Sequence, residues 1–461
     1  MFFSLAVLSP NALLLVAAVS IVGLIVLIAR FKLNAIIAIT IVSLLLGLAA
    51  GMEAIKVADA FTEGVAHTMG TLAMIIGLGT MLGRMLAESG GANVVASGIT
   101  RFFGAARVDY AMMVAAFVIG ISVFFQVGLL LLGPIAFALA RETKTPILRI
   151  GLPLAAGLST AHGLIPPHPG PLAAINIIGA DIGKTILWSL LVVGPPVAIV
   201  TGPLLARWVT PRVPLGLAGL GESSNAKPSA PRAPGFAISL FTILLPVLLM
   251  LVGTVADLAW PDKQFAASTW QGGLRTWANF IGTPTVAMLI AVLVSFWTFG
   301  RACGLNSHQI LRFSEDCLAP AAGVLLVIAA GGGFSKVLGA SGVGDALANV
   351  GRNLHMSPLL LGWLIAGMLR VAVGSATVSV QTAAGIMLPL VQADPHINKE
   401  LLVLSMGAGS LVLSHVNDGG FWLVKEYFGM DIPQTLKTWT VVETGIAIMS
   451  MALILVANAL F

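Results

Sequence analysis

Stretches of about 20 consecutive, almost wholly apolar residues recur from one end of the chain to the other, and each is long enough to cross the hydrocarbon of a bilayer. Leu13 to Ala29, Leu33 to Gly51, Thr185 to Ala206 and Phe236 to Ala256 are examples. They are too long and too continuous for the alternating strands of a membrane β-barrel, so the chain is expected to be an all-α polytopic membrane protein. Composition agrees: 58% of the 461 residues are hydrophobic and 9% are charged, which leaves no soluble partition into core and surface open. The first apolar stretch has the length of an export signal, but no Lys or Arg stands between Met1 and Asn11, so it is read as a retained helix.

In a soluble protein the formal net charge of +5 would suggest a nucleic-acid partner. Here the excess sits in loops, as expected of basic segments on a cytoplasmic face, and no nucleic acid is expected. Two cysteines, Cys303 and Cys317, are too few for a disulfide framework and read as packing residues. His162 and His168 lack the His-Glu-x-x-His spacing, and the prolines between them prevent a shared helical face, so neither a metal site nor an enzyme is expected.

The clearest break in composition is Arg207 to Gly235, rich in Pro, Gly and Ser, with Arg207, Arg212, Lys227 and Arg232 against Glu222. It reads as a cytoplasmic linker, 207–235, between two membrane repeats, 1–206 and 236–461. The repeats are visible in the sequence. GRMLAESGGANVVASGITRFF at Gly83 resembles FSKVLGASGVGDALANVGRNL at Phe334, and Ser122 stands as far from Ser375 as His162 does from His415. The connection containing Arg141, Glu142, Lys144 and Arg149 is net positive, whereas its counterpart with Asp394, Lys399 and Glu400 is net negative. Opposite signs at equivalent places imply opposite sidedness, hence inverted-topology repeats with both termini periplasmic. The uncharged run from Tyr110 to Ala140 is too long for one crossing and too short for two. It is read as a re-entrant hairpin broken near Gly120 to Gly128, and Leu359 to Val391 as its counterpart, broken at Gly374 to Gln381. Each half is thus expected to hold about five transmembrane helices, one hairpin and one broken helix.

Polar groups inside a bilayer are costly and mark substrate or ion paths. STAHGLIPPHPGP, Ser159 to Pro171, interrupts an apolar region with two histidines and four prolines, which a regular helix does not tolerate. The equivalent stretch in the other half, SHVNDGGF from Ser414 to Phe421, breaks at Gly419 and Gly420 beside His415, Asn417 and Asp418. Two broken helices facing each other near the midplane are the mark of a secondary transporter site. Arg370, the only charged residue between Met356 and Ala393, is the natural ion-pair partner of Asp418. Gly331 to Gly333 and Gly90-Gly91 read as close-packing sites, since no Lys-Ser/Thr follows either.

HGLIPPHPGP at His162, RVAVGSATVSVQTAAG at Arg370 and SHVNDGGFW at Ser414 closely resemble the motifs of the gluconate permease family, the gluconate:proton symporters of the ion transporter superfamily, in order and over nearly the whole chain. The resemblance implies a bacterial inner-membrane symporter, forming a dimer, that imports gluconate or a related small hydroxy or sugar acid with protons. One position departs: the family's first hairpin commonly reads Phe-Phe-acidic-Val-Gly, and this chain has Gln126 after Phe124-Phe125. A glutamine hydrogen-bonds but carries no proton. Arg370 is expected to receive the substrate carboxylate, because a guanidinium forks onto two oxygens. Ser122, Gln126, Ser375, Thr377 and Asn417 are expected to address hydroxyls. Asp418, with His162, His168 and His415, is expected to carry the proton, which serves as the coupling ion with no organic cofactor. Lipid and a small carboxylate are the expected partners. The rival readings are a sodium-coupled carboxylate transporter, using carbonyls at the same breaks, a channel or exchanger without coupling, and a membrane-embedded enzyme.

Overall fold

A bilayer offers no water to the backbone, so each apolar stretch must close its hydrogen bonds within itself as a helix. That is what the computed structural model contains across the residues it describes, which are 9–31, 33–213, 215, 229–260, 269–343, 346, 356–416 and 418–460. Among them there are helices, turns and breaks, and no strand. The first half runs α1 (Pro10–Ala29), α2 (Ala35–Ala49), α3 (Ala54–Glu88), α4 (Gly91–Phe103), α5 (Val108–Gly120), α6 (Phe125–Glu142), α7 (Ile147–Leu164), α8 (Pro169–Ile178) and α9 (Ile182–Arg212). The second runs α10 (Phe236–Ala259), α11 (Trp270–Gly282), α12 (Pro284–Cys303), α13 (Ser307–Asp316), α14 (Leu318–Ala340), α15 (Pro358–Val373), α16 (Ala376–Ala393), α17 (Lys399–Gly409), α18 (Gly419–Tyr427) and α19 (Ile432–Leu460).

Among the described residues, 8 helices are long and apolar enough to cross a membrane, or 9 if α4 and the helical stretch Ala105–Gly120 that contains α5, bent by 107°, make one broken span. The chain is therefore a multi-pass, all-helical membrane protein. Large apolar side chains such as Leu15, Leu191, Trp208, Val255 and Trp277 stay exposed, as a lipid-facing surface requires.

Without a hydrophobic drive between helices in lipid, close approach at small residues holds the bundle. The crossing of α3 and α14 is the clearest case. A Cβ at Gly64 would lie 2.4 Å from the Gly332 carbonyl oxygen, and one at Gly332 would lie 1.9 Å from Thr68 Oγ1. The Gly331 to Gly333 run is thus a packing surface. Gly90 serves another purpose, since it takes the left-handed conformation, φ 73°, that starts α4.

Both halves follow one order: a helix, a short break, a helix, then a second helix, a second break and a further helix. The breaks are shorter than the sequence suggests. The helix persists through Ser159 and His162 to Leu164, because Pro166 and Pro167 lie beyond its end and Pro169 opens α8, where a missing N–H costs nothing. In the second half the first break shrinks to Gly374 and Ser375. Gly374 adopts φ 78° and Ser375 caps α16, so Thr377 to Gln381 are helical. Of the linker, 214 and 216–228 lie outside the described residues; beyond them, Ala230 N–H donates to Glu88 O and Arg232 N–H to Cys303 O.

Candidate functional site

The two broken regions meet. A Cβ at Gly407 would lie 2.5 Å from the Gly163 carbonyl oxygen, and α8 of the first half packs on α16 of the second, with Gly170 against Thr377. Between them is a cavity of about 1060 Å³. Its wall includes Phe124 to Val127, Pro169, Ser375 to Val378 and Asp418 to Gly420, which are the first residues of α6, α8, α16 and α18 and their caps. Four helix N-termini therefore border one space, and their positive dipole ends give it a field that attracts anions.

Arg370 adds a full positive charge. It is 3% exposed, donates from Nη1 to the Gly374 carbonyl and from Nη2 to Asp418, and its Nε is buried without a partner among the described residues. Asp418 also accepts from the Ser414 hydroxyl and, at 2.9 Å, from the Gly420 N–H, so it caps α18 while it holds the guanidinium. The pairing expected from two isolated charges is present. Arg370 joins the left-handed turn after α15 to the break before α18, so one side chain reads both interruptions of the second half.

The other expected site residues divide. Gln126, His162, Ser375 and Thr377 line the cavity with Arg370 and Asp418. Ser375 spends its oxygen on the cap of α16, 3.5 Å from Val378 N. Ser122 faces away: its hydroxyl donates to the Ile243 carbonyl at 2.7 Å. His168 lies behind His162, their Nδ1 atoms 3.3 Å apart, with its Nε2 on the Gly120 carbonyl. His415 is outside the cavity, its Nε2 3.0 Å from the Val371 carbonyl. Asn417 lies outside the described residues. No group of His, Cys, Asp and Glu able to hold a metal occurs among the described residues.

The sequence reading passed over Glu443. It is 1% exposed on α19, lines the same cavity and accepts a hydrogen bond from the Ser159 hydroxyl. The same helix face reaches the second break: Trp439 Nε1 donates to Ser414 Oγ at 2.8 Å, the Thr440 hydroxyl to the Ser414 carbonyl, and Leu413 N–H to Thr444 Oγ1 at 3.2 Å. The signal was available, since Glu443 is the only charged residue after Lys437 in a long apolar run.

Residues 12–460 match the profile described as GntP family permease. The chain is 48% identical to a gluconate permease of Pseudomonas aeruginosa, over 97% of each chain. It is 39% identical to the high-affinity gluconate transporter of Escherichia coli, over 96% of this chain and 99% of that one. Among solved structures, the Alcanivorax borkumensis YdaH transporter, described as having an unusual topology, shares the fold with a TM-score of 0.65 at 18% identity, over 92% of this chain and 98% of that one. The cavity between broken helices thus belongs to a carrier and not to an enzyme, and the chain is a member of the GntP family of permeases.

Proposed function

We propose that the protein imports gluconate, or a related small hydroxy or sugar acid, across the bacterial inner membrane together with protons. The observation that carries this reading is the buried Arg370–Asp418 pair in a cavity walled by four helix N-termini. Such a field suits a carboxylate. At about 1060 Å³ the space is at the upper end of small-ligand sites, roomy enough for a polyhydroxylated chain with some of its water. The gluconate relatives support the same substrate class.

Arg370 receives the substrate carboxylate. Its Nη1 and Nη2 each keep a second N–H beyond those given to Gly374 and Asp418. Gln126, Ser375 and Thr377 line the cavity and address hydroxyls, and Asn417, outside the described residues, is assigned the same role. The proton travels on an ionisable group of the site, where Asp418 and His162 both line the cavity. Moving a proton with the anion removes net charge from the load, which makes symport less costly than carrying either alone.

The halves 1–206 and 236–461 act as inverted repeats that rock about this site, with both termini periplasmic, 207–235 cytoplasmic and the protein a dimer. The cavity reaches the surface at Arg84 and Asp316, whose side chains are 42% and 53% exposed. Arg84 pairs with Glu88, which holds the end of the linker, so the conformation is read as open to the cytoplasm. Proteoliposomes loaded at one pH and diluted into another test the function. Gluconate should accumulate with an inward proton gradient in the absence of sodium; a requirement for sodium at fixed pH overturns proton coupling, and exchange without proton movement makes the protein an uncoupled carrier.

A further inference from the structure

We propose that Glu443 is the seat of the coupling proton, and that its protonation is the condition under which the substrate anion enters the cavity. The inference rests on the proton-coupled import above. Two carboxyl side chains stand deep in the cavity, and their surroundings differ in kind. Asp418 accepts from Arg370 Nη2, from the Gly420 N–H and from the Ser414 hydroxyl, which itself accepts from Trp439 Nε1. An N–H and a guanidinium can only donate. A proton on Asp418 would remove the charge that answers Arg370 and leave the guanidinium buried against a neutral acid, so the pair is the feature that a proton there would break.

Glu443 has the opposite arrangement. Among the described residues its one hydrogen bond comes from Ser159 Oγ, and no cation lies within ion-pair distance of it. A hydroxyl donates to a carboxylate and accepts from a carboxylic acid, so the same contact serves both protonation states by rotation of one hydrogen. Ser159 stands on α7, close to the break that ends this helix, so the proton's seat is attached to an interrupted element.

Charge in the cavity supplies the coupling. With Glu443 ionised, Arg370 faces two carboxylates and the arriving anion meets a net negative site; with Glu443 protonated, Arg370 and Asp418 balance and the helix N-termini decide. Other titratable groups on the elements packed against α19 do not alter this count. Arg149 and Arg207 are held by Asp109, Glu400 accepts from the Asp181 N–H, and Lys425 pairs with Glu426. Lys399 lies at Gly179, His415 is held at Val371, and Lys184, Arg212 and Lys437 are exposed. His162 is turned to His168; Tyr427 lines the cavity, and Arg84 and Asp316 bring opposite charges to its exposed edge.

The test is reconstituted protein with gluconate. Wild type under an inward gradient of two pH units can reach about 100-fold accumulation per proton carried. Glu443→Gln is expected to lose accumulation and gluconate-driven proton entry, while gluconate exchange proceeds and loses its dependence on pH. Glu443→Asp keeps a carboxyl and is expected to accumulate, with its pH profile displaced from that of wild type. A wild type that moves no protons with gluconate defeats the import reading itself. If wild type is coupled, Glu443→Gln accumulating like wild type overturns the assignment, as does an Asp418→Asn variant that alone loses accumulation while keeping exchange. Should Glu443→Gln lose exchange as well, the Glu443→Asp profile decides: a displaced profile supports the proposal and an undisplaced one overturns it.

Discussion

Replacing Arg370 separates charge from geometry at the centre of the cavity. The guanidinium bonds two acceptors in different directions, the Gly374 carbonyl and Asp418, and still has N–H groups to offer a ligand. In Arg370→Lys the charge remains, but a point ammonium on a flexible stem cannot hold both acceptors and fork onto a carboxylate. Losing one charge-assisted hydrogen bond costs about 1.5–3 kcal/mol, which is roughly 10- to 150-fold in affinity. Arg370→Gln removes the charge and leaves Asp418 buried without its cation. Breaking a buried pair in this way costs about 3–5 kcal/mol, and the anion then meets an uncompensated carboxylate, so binding should fall more than about 100-fold. Calorimetric binding of gluconate beside its uncharged amide or lactone, on purified protein at one pH, reads both effects. Wild type and the Lys variant should prefer the carboxylate, and the Gln variant should lose that preference. If the Gln variant still selects the anion, Arg370 only ties α15 to the break before α18, and the substrate carboxylate is bound elsewhere.

Three further outcomes are expected. Ser122→Ala should leave the KM for gluconate within about twofold and lower stability by about 0.5–1.5 kcal/mol, because its hydroxyl serves the Ile243 carbonyl; a tenfold rise in KM would put Ser122 in the substrate path. Gly64→Ala should destabilise the protein by about 1–3 kcal/mol in a detergent thermal-shift assay, since the new Cβ meets backbone at 2.4 Å, and an unchanged Tm would mean that α3 and α14 do not pack at this glycine. A single cysteine at Ser224, in a background lacking Cys303 and Cys317, should resist membrane-impermeant labelling from outside the cell; labelling there reverses the assigned sidedness.

Much of the fold was legible because the bilayer imposes one rule on every segment. Apolar length gave the helices, and paired polar interruptions at Ser122 and Ser375 and at His162 and His415 gave the places where they break. The contact between Arg370 and Asp418 was legible for a similar reason: a lone buried charge needs an opposite one. How far each break extends was not legible, since that depends on local capping. Ser375 caps α16, so the helix resumes directly after Gly374, and three of the four prolines from Pro166 to Pro171 either follow the end of α7 or open α8. The direction of Ser122 was hidden as well. It sits at the expected interruption, but whether its hydroxyl faces the cavity or α10 is set by how α10 packs, a contact between residues far apart in sequence.

Glu443 was missed for a related reason. Interrupted helices announce themselves in a sequence, and attention to interruptions passes over a polar residue on an unbroken helix. The helix α19 is such an unbroken element: it is continuous from Ile432 to Leu460 and sends Trp439, Thr440 and Thr444 to the break before α18 while Glu443 reaches Ser159 near the break after α7. These side chains recur three or four residues apart, which puts them on one face. A proton held there lies between the two interruptions, on an element that touches both without being broken itself. In the proposed mechanism, rocking of one half against the other changes what surrounds Glu443, and a change of surroundings is what would convert a buried carboxyl from a site that takes up a proton into one that releases it.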